Sequence, residues 1–239
     1  MAQLGGKVAL VTGGGRGIGA AIAHRLAADG ADVALTYVRA ADKAQEVVKS
    51  IEGLGRRAIA IQADSADPAA VVGSVDRTAA ELGGLDILVN NAGIFAYGPL
   101  ADVTPAEVDE TLAVHVRAVF LATQAAVPHM GAGGRVISIG SCWAQRVPVP
   151  NVTLYSMSKS ALIGFTKGLA HDVAPLGITA NVVDPGPTDT DMNPADAPHA
   201  DAERAHTATK TYGTGADIAA AVAFLAGPDA KWITGTSVA

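Results

Sequence analysis

The 239 residues are 49% hydrophobic and 17% charged and include 27 glycines, a composition that buries a large core and excludes a disordered chain or a coiled coil. Seventeen Lys and Arg against 23 Asp and Glu leave a net charge of -6, which offers no general attraction to nucleic acid phosphates or an anionic membrane surface. The single cysteine, Cys142, makes neither an internal disulfide nor a cysteine-built metal site. Gly and charged residues interrupt each apolar stretch before about 18 residues, so we expect a cytoplasmic protein without a membrane span or a metal.

In chain order, the β-branched run Val8 to Thr12 predicts a strand, and the apolar spacing from Ile18 to Ala28 predicts a helix after a glycine turn. The alternation continues with a strand over 33–37, a helix over 40–54, a strand over 58–61 and a helix over 68–82. Asp67 before Pro68 makes a suitable N-cap there. A strand follows over 85–89. Thr104-Pro-Ala-Glu107 fits a capping box opening a long helix to about Val127. A strand over 135–139, a helix over 153–174 and a strand over 178–183 complete the series. Nearly continuous apolar strands alternating with helices imply an α/β fold, one doubly wound parallel sheet covered on both faces. One domain over 1–239 is expected. Within it, the polar, proline-interrupted segment 189–214 breaks the alternation and reads as a substrate-covering flap, with a short helix near 202–208.

The turn Thr12-Gly13-Gly14-Gly15-Arg16-Gly17-Ile18-Gly19 lies between the first strand and first helix. Glycines there admit positive φ and let the backbone approach a pyrophosphate, which the free N–H groups of the helix N-terminus attract. Without a Gly-Lys-Ser/Thr ending the turn is not a nucleoside-triphosphate loop, and a dinucleotide is the expected ligand. The second strand ends in Tyr37 and reaches Arg39 without the carboxylate that would receive ribose hydroxyls and repel a 2′-phosphate. Arg16 and Arg39 are instead placed to reach that phosphate, so NADP(H) is favoured over NAD(H).

Thr12-Gly13-xxx-Gly17-x-Gly19, Asn90-Asn91-Ala92-Gly93, Ser141, Tyr155-xxx-Lys159 and Pro185-Gly186 together resemble the short-chain dehydrogenase/reductase family, in its 3-oxoacyl-reductase-like branch. The resemblance implies a single-domain Rossmann fold, a homo-oligomer (tetramer or dimer), and hydride transfer between a nicotinamide and a small carbonyl or alcohol. It implies Tyr155 as proton donor, Ser141 as hydrogen-bonding partner of the developing oxyanion, and Lys159 as holder of the nicotinamide ribose. It also implies that Asp64 and its neighbour Ser65 lie near the adenine, that Asn90, Ala92 and Gly93 line the cofactor, and that Pro185, Gly186, Thr188 and Thr190 hold the carboxamide. From the residues themselves, Tyr155 and Lys159 lie four apart on one helix face, so the ammonium is expected to lower the phenol pKa.

Two departures stand out. His115 occupies the long helix where the family usually has Asn; it is read either as part of a proton relay, adding a group that titrates between about 6 and 8, or as a packed helix histidine. The chain ends Thr236-Ser-Val-Ala239, short of the family's usual last strand, so either the chain is cut short or its assembly differs. Trp143 is read as a pocket wall or as core. The segments 129–134 and 171–176 lack the basic clusters that would dock an acyl carrier protein, which points to a small free ketone or aldehyde. The competing reading is a non-catalytic nucleotide-binding regulator on the same fold.

Overall fold

Alternate residues of the central strands are buried on opposite faces, and this dictates two helical layers. The computed structural model describes residues 3–239. In β1 (Val8–Val11), Ala9 and Val11 enter one core while Val8 and Leu10 enter the other. With β2 (Asp32–Tyr37), β3 (Ala58–Gln62), β4 (Ile87–Asn90), β5 (Arg135–Ile139), β6 (Thr179–Val183) and β7 (Ser237–Val238) it forms a parallel sheet ordered β3-β2-β1-β4-β5-β6-β7. On one face lie α1 (Gly17–Ala28), α2 (Ala41–Glu52) and, later in the chain, a helix over Gly215–Ala226. The other face carries α3 (Pro68–Leu82), α5 (Ala118–Ala126) and α6 (Thr153–Val173), with α4 (Pro105–Leu112) packed against α6. The strand order reverses between β1 and β4, and the crevice at their carboxyl ends is where open α/β sheets bind ligands.

Several expected elements form as read, among them α3 with its Asp67 cap and α4 with its Thr104–Glu107 capping box. The long helix differs. Between α4 and α5, residues Ala113–Arg117 form a π turn with His115 in it, a geometry that periodicity alone does not mark. By length and mean hydropathy, an 18-residue window within Pro105–His129 also meets the measure of a membrane span, but Glu107, Asp109, Glu110 and Arg117 interrupt the run, and half of that window is buried within the fold, against α3, α6 and β4.

The segment 189–214 contains α7 (Ala200–His206) and folds back on itself. Thr188 bridges to Gly213, and Glu203 accepts hydrogen bonds from Asn193 Nδ2 at 2.7 Å and the Tyr212 hydroxyl at 2.8 Å. The helix after it, α8 (Gly215–Ala226), had no counterpart in the sequence reading because its alanine-rich run shows little contrast between faces. The expectation of a missing last strand is corrected: Ser237 and Val238 pair with Val182 and Val183, so the outer edge of β6 is covered there by a short β7.

Candidate active site

The glycine turn is held from both sides. Thr12 Oγ1 accepts the backbone N–H groups of Asn91 (2.9 Å) and Ala92 (3.0 Å), while Asn91 Nδ2 donates to Thr12 O and Gly13 O. Gly13 N–H donates to Thr36 Oγ1 at 2.9 Å. Gly13 and Gly17 adopt φ of 64° and 53°, which favours glycine, and a Cβ on Gly19 would stand 2.4 Å from Gly13 O. Among the described residues no side chain caps α1, and its first turn carries no acid, so the N-terminal N–H groups face the crevice with their dipole uncompensated. A diphosphate fits that cradle chemically.

Cations flank the turn. Arg16 is exposed at the N-cap, and Lys43 of α2, which the sequence reading missed, lies across from it. Asp191 lies 2.9 Å from Lys43 and 4.0 Å from Arg16, and Lys43 holds its carboxyl below the usual carboxylate range. Arg39 is exposed just beyond Tyr37. Asp64 accepts the Ala66 N–H at 2.8 Å as a loop cap, with Ser65 beside it. Buried Asn90 donates to Thr123, and Gly93 packs where a Cβ would meet His115 Nε2 at 3.1 Å. After β6, Pro185 and Gly186 lead to buried Thr188, whose hydroxyl donates to Gly186 O; Thr190 Oγ1 accepts Asn193 N–H.

At the other end of the crevice, Ser141 follows β5 and Tyr155 lies in the first turn of α6. Lys159 is one turn further along, its Nζ donating to Ile139 O at 2.9 Å and lying 5.9 Å from the Tyr155 ring centroid. Burial pulls Lys159 down to about 8, and the charge of Asp184 pulls the other way. The expected lowering of Tyr155 is not found: burial pushes its phenol up, partly countered by a hydrogen bond with Ser141. The phenol is therefore a proton carrier at neutral pH.

His115 is buried. Its Nε2 accepts the Ile94 N–H at 3.0 Å, so Nδ1 bears the proton and donates to Ser158 Oγ at 2.8 Å; Ser158 in turn donates to Tyr155 O at 2.7 Å. Burial and the nearby Lys159 ammonium pull its pKa to about 3. This corrects the expectation of titration between about 6 and 8: the imidazole is neutral, and it ties the loop after β4 to the turn of α6 that carries Tyr155.

Asp184 was also missed, although its place directly before Pro185-Gly186 at the carboxyl end of β6 is a usable signal. Fully buried, it accepts Ser141 N–H at 2.9 Å and Gln145 Nε2 at 3.0 Å, and it hydrogen-bonds the Ser237 hydroxyl. A Cβ on Gly140 would lie 1.9 Å from Asp184 Oδ1, so the glycine makes room for the carboxylate. Asp184 thereby fixes the backbone of Ser141 and ties β7 to it.

A family model described as short chain dehydrogenase matches residues 7–201. A short chain dehydrogenase from Burkholderia cenocepacia J2315, solved in complex with NADP, is 63% identical, covers 99% of this chain and 96% of that one, and superposes with a TM-score of 0.98. A blue fluorescent protein from a metagenomic library, solved with NADPH, is 56% identical over 99% of this chain and 96% of that one, with a TM-score of 0.97. The cyclic-di-GMP-binding biofilm dispersal mediator protein of Escherichia coli K12 is 42% identical over 235 residues, 98% of this chain and 95% of that protein. With the uncapped glycine turn, the parallel sheet and these matches together, the chain belongs to the short chain dehydrogenase family.

Proposed function

We propose that this protein is an NADPH-dependent carbonyl reductase acting on a small free ketone or aldehyde, with Tyr155 as the proton donor. The observation that carries the reading is the convergence of Ser141, Tyr155 and Lys159 at the carboxyl edge of the sheet, in the same crevice as the open N-terminus of α1. NADPH, bound with its diphosphate on that terminus, supplies hydride to the carbonyl carbon. Tyr155 passes its phenolic proton to the carbonyl oxygen as the C–O π bond becomes an alcohol, and Ser141 donates a hydrogen bond to that oxygen as charge develops. The Lys159 ammonium stabilises the tyrosinate left behind. Arg16, Arg39 and Lys43 receive the 2′-phosphate, and the choice of NADPH as cofactor is supported by the neighbours solved with NADP and NADPH.

The test is consumption of NADPH with a ketone panel, read at the nicotinamide absorbance with stoichiometric alcohol formed. Tyr155→Phe should lower turnover at least ~10²-fold while NADPH still binds. A Phe variant that turns over at the parent rate removes Tyr155 from the mechanism. A parent preferring NADH, or a preference unmoved by Tyr37→Asp with Arg39→Ala, removes the phosphate assignment.

The second reading, a nucleotide-binding regulator, is favoured by the name of the Escherichia coli relative. Titration with cyclic-di-GMP, with NADPH displacement as readout, tests it; tight binding without ketone turnover would put it first.

A further inference from the structure

The chain holds ten aromatic residues of the Phe, Tyr and Trp types, and four meet at the mouth of the crevice. Phe95 packs edge-on against the Tyr155 ring, with centroids 5.1 Å apart at 79°, and Trp143 meets the same ring at 6.2 Å and 88°. Phe95 and Trp143 are 6.1 Å apart, and Tyr97 stacks on Phe95 at 5.9 Å and 27°. The two loops carrying them are tied together: Gly98 N–H donates to Asn151 O at 2.9 Å, and Asn151 Nδ2 reaches the Tyr97 hydroxyl at 3.4 Å. Asn151 holds φ at 69°, so this lip is shaped by a backbone conformation few side chains adopt.

Phe95 is 43% exposed and Tyr97 63% exposed. Large rings left open to water, grouped around the proton donor rather than scattered, mark a surface awaiting an apolar ligand. A carbonyl oxygen at the Tyr155 hydroxyl leaves its substituents among the rings grouped around Tyr155; of these the His115 ring is buried, while Phe95 and Trp143 belong to the two loops at the crevice mouth. Rings placed edge-on and tilted to one another offer quadrupole contacts that another flat ring completes and a saturated group does not.

We propose that the carbonyl this site takes is conjugated to a planar aromatic ring, an aryl ketone or aldehyde, with Phe95 and Trp143 selecting the ring and Tyr97 extending the platform outward. The proposal rests on the carbonyl-reductase reading of Tyr155. Each aromatic contact contributes roughly 2- to 12-fold in affinity beyond area burial, so two walls make a preference of about tenfold or more.

Acetophenone and cyclohexyl methyl ketone share one carbon skeleton and differ in the flat π system. The experiment compares kcat/KM for the pair, with NADPH, in the parent, Phe95→Leu and Trp143→Leu, together with calorimetric binding of each ketone to the protein–NADP+ complex. The expected result is a parent preference for acetophenone of at least about tenfold that collapses in both variants, mainly through KM. The two substitutions lie on different loops, so one misfolded variant does not decide the outcome. Equal efficiencies in the parent, or a preference surviving both substitutions, overturn the aryl proposal and leave the reductase reading intact. Selective acetophenone binding without turnover of either ketone supports the aryl surface and removes the reductase reading. Absence of both turnover and selective binding overturns the proposal.

Discussion

Helices α1 and α8 begin side by side, with Gly215 packed against Ala21 and near the Gly17 carbonyl, yet they end their backbones in opposite ways. Thr214 and Asp217 close the start of α8 as a capping box: Asp217 N–H donates to Thr214 Oγ1, and Thr214 N–H donates to Asp217 Oδ2 at 2.7 Å. α1 starts from Arg16 with an extended φ of -160°, a conformation suited to an N-cap, but with a side chain that accepts nothing. The same backbone need is met inside the protein in one helix and left for a ligand in the other. A terminus whose donors stay open beside two positive-φ glycines and exposed cations is a binding site, whereas a capped one is scaffold.

Giving α1 the cap it lacks breaks the comparison most severely. Arg16→Asp removes a guanidinium worth about 1.5–3 kcal/mol to a phosphate and adds a carboxylate that takes the N–H groups for itself. NADPH affinity should fall ~10²-fold or more, while the melting temperature rises by the equivalent of about 1 kcal/mol. Fluorescence titration and thermal unfolding read the two quantities separately. Affinity at the parent level would mean that the open terminus does not hold the diphosphate.

The distinction extends to the catalytic end, where Asp184 is met internally and Lys159 has donors to spare. Asp184→Asn keeps an oxygen for Ser141 N–H but sets a second NH2 group against the Gln145 amide and Ser237 hydroxyl. Stability should fall about 2 kcal/mol, the cost of buried donors left facing one another. The carboxylate also raises Lys159 from the level burial alone would set, so its loss moves Lys159 below about 8. Reduction that needs the ammonium is full below that pKa and declines above it, so the declining limb of kcat/KM should move to lower pH in the variant. A limb that stays in place would show that Asp184 acts on Ser141 alone.

The sequence made the backbone-built half of the crevice legible and the side-chain-built half only in part. Glycines and the strand–turn–helix order are local signals, and they led to the turn and the fold; the Tyr155–Lys159 spacing is local as well and places both side chains one turn apart on α6. What was lost depended on packing between distant segments. Asp184 reaches Ser141 across β5 and β6, Lys43 meets Asp191 across 148 positions, and Phe95 meets Trp143 only once two loops close. The direction of the Tyr155 shift was misjudged for the same reason: a four-residue spacing states proximity to Lys159 but not the degree of burial. Likewise α8 was overlooked because Ala219 to Ala223 looks alike on every face.

His115 sharpens the comparison through pH. It stays neutral in the folded chain with a pKa of about 3, while an unfolded imidazole takes a proton near 6.5. Its contribution to stability is complete above 6.5 and is lost as pH falls toward 3, at about 1.4 kcal/mol per pH unit. In His115→Asn that loss disappears, so urea unfolding at pH 7 and pH 5 should show a steeper decline in the parent than in the variant. Equal declines would mean that the imidazole titrates normally. Activity in the variant should persist at pH 7, since a neutral amide oxygen still accepts the Ile94 N–H.

Thr214→Ala has the smallest expected effect and mirrors Arg16→Asp. It removes the hydroxyl that accepts Asp217 N–H at 3.3 Å and leaves Asp217 to hold the Thr214 N–H alone. Loss of such a cap costs about 1 kcal/mol, within reach of a denaturant titration provided the slope of the transition is unchanged. NADPH affinity should hold within about twofold, because the α8 donors were never offered to the cofactor even though Gly215 lies beside α1. If the affinity falls with the stability, then the start of α8 supports the shape of the glycine turn, and the two neighbouring helix ends work as one unit rather than as scaffold and site.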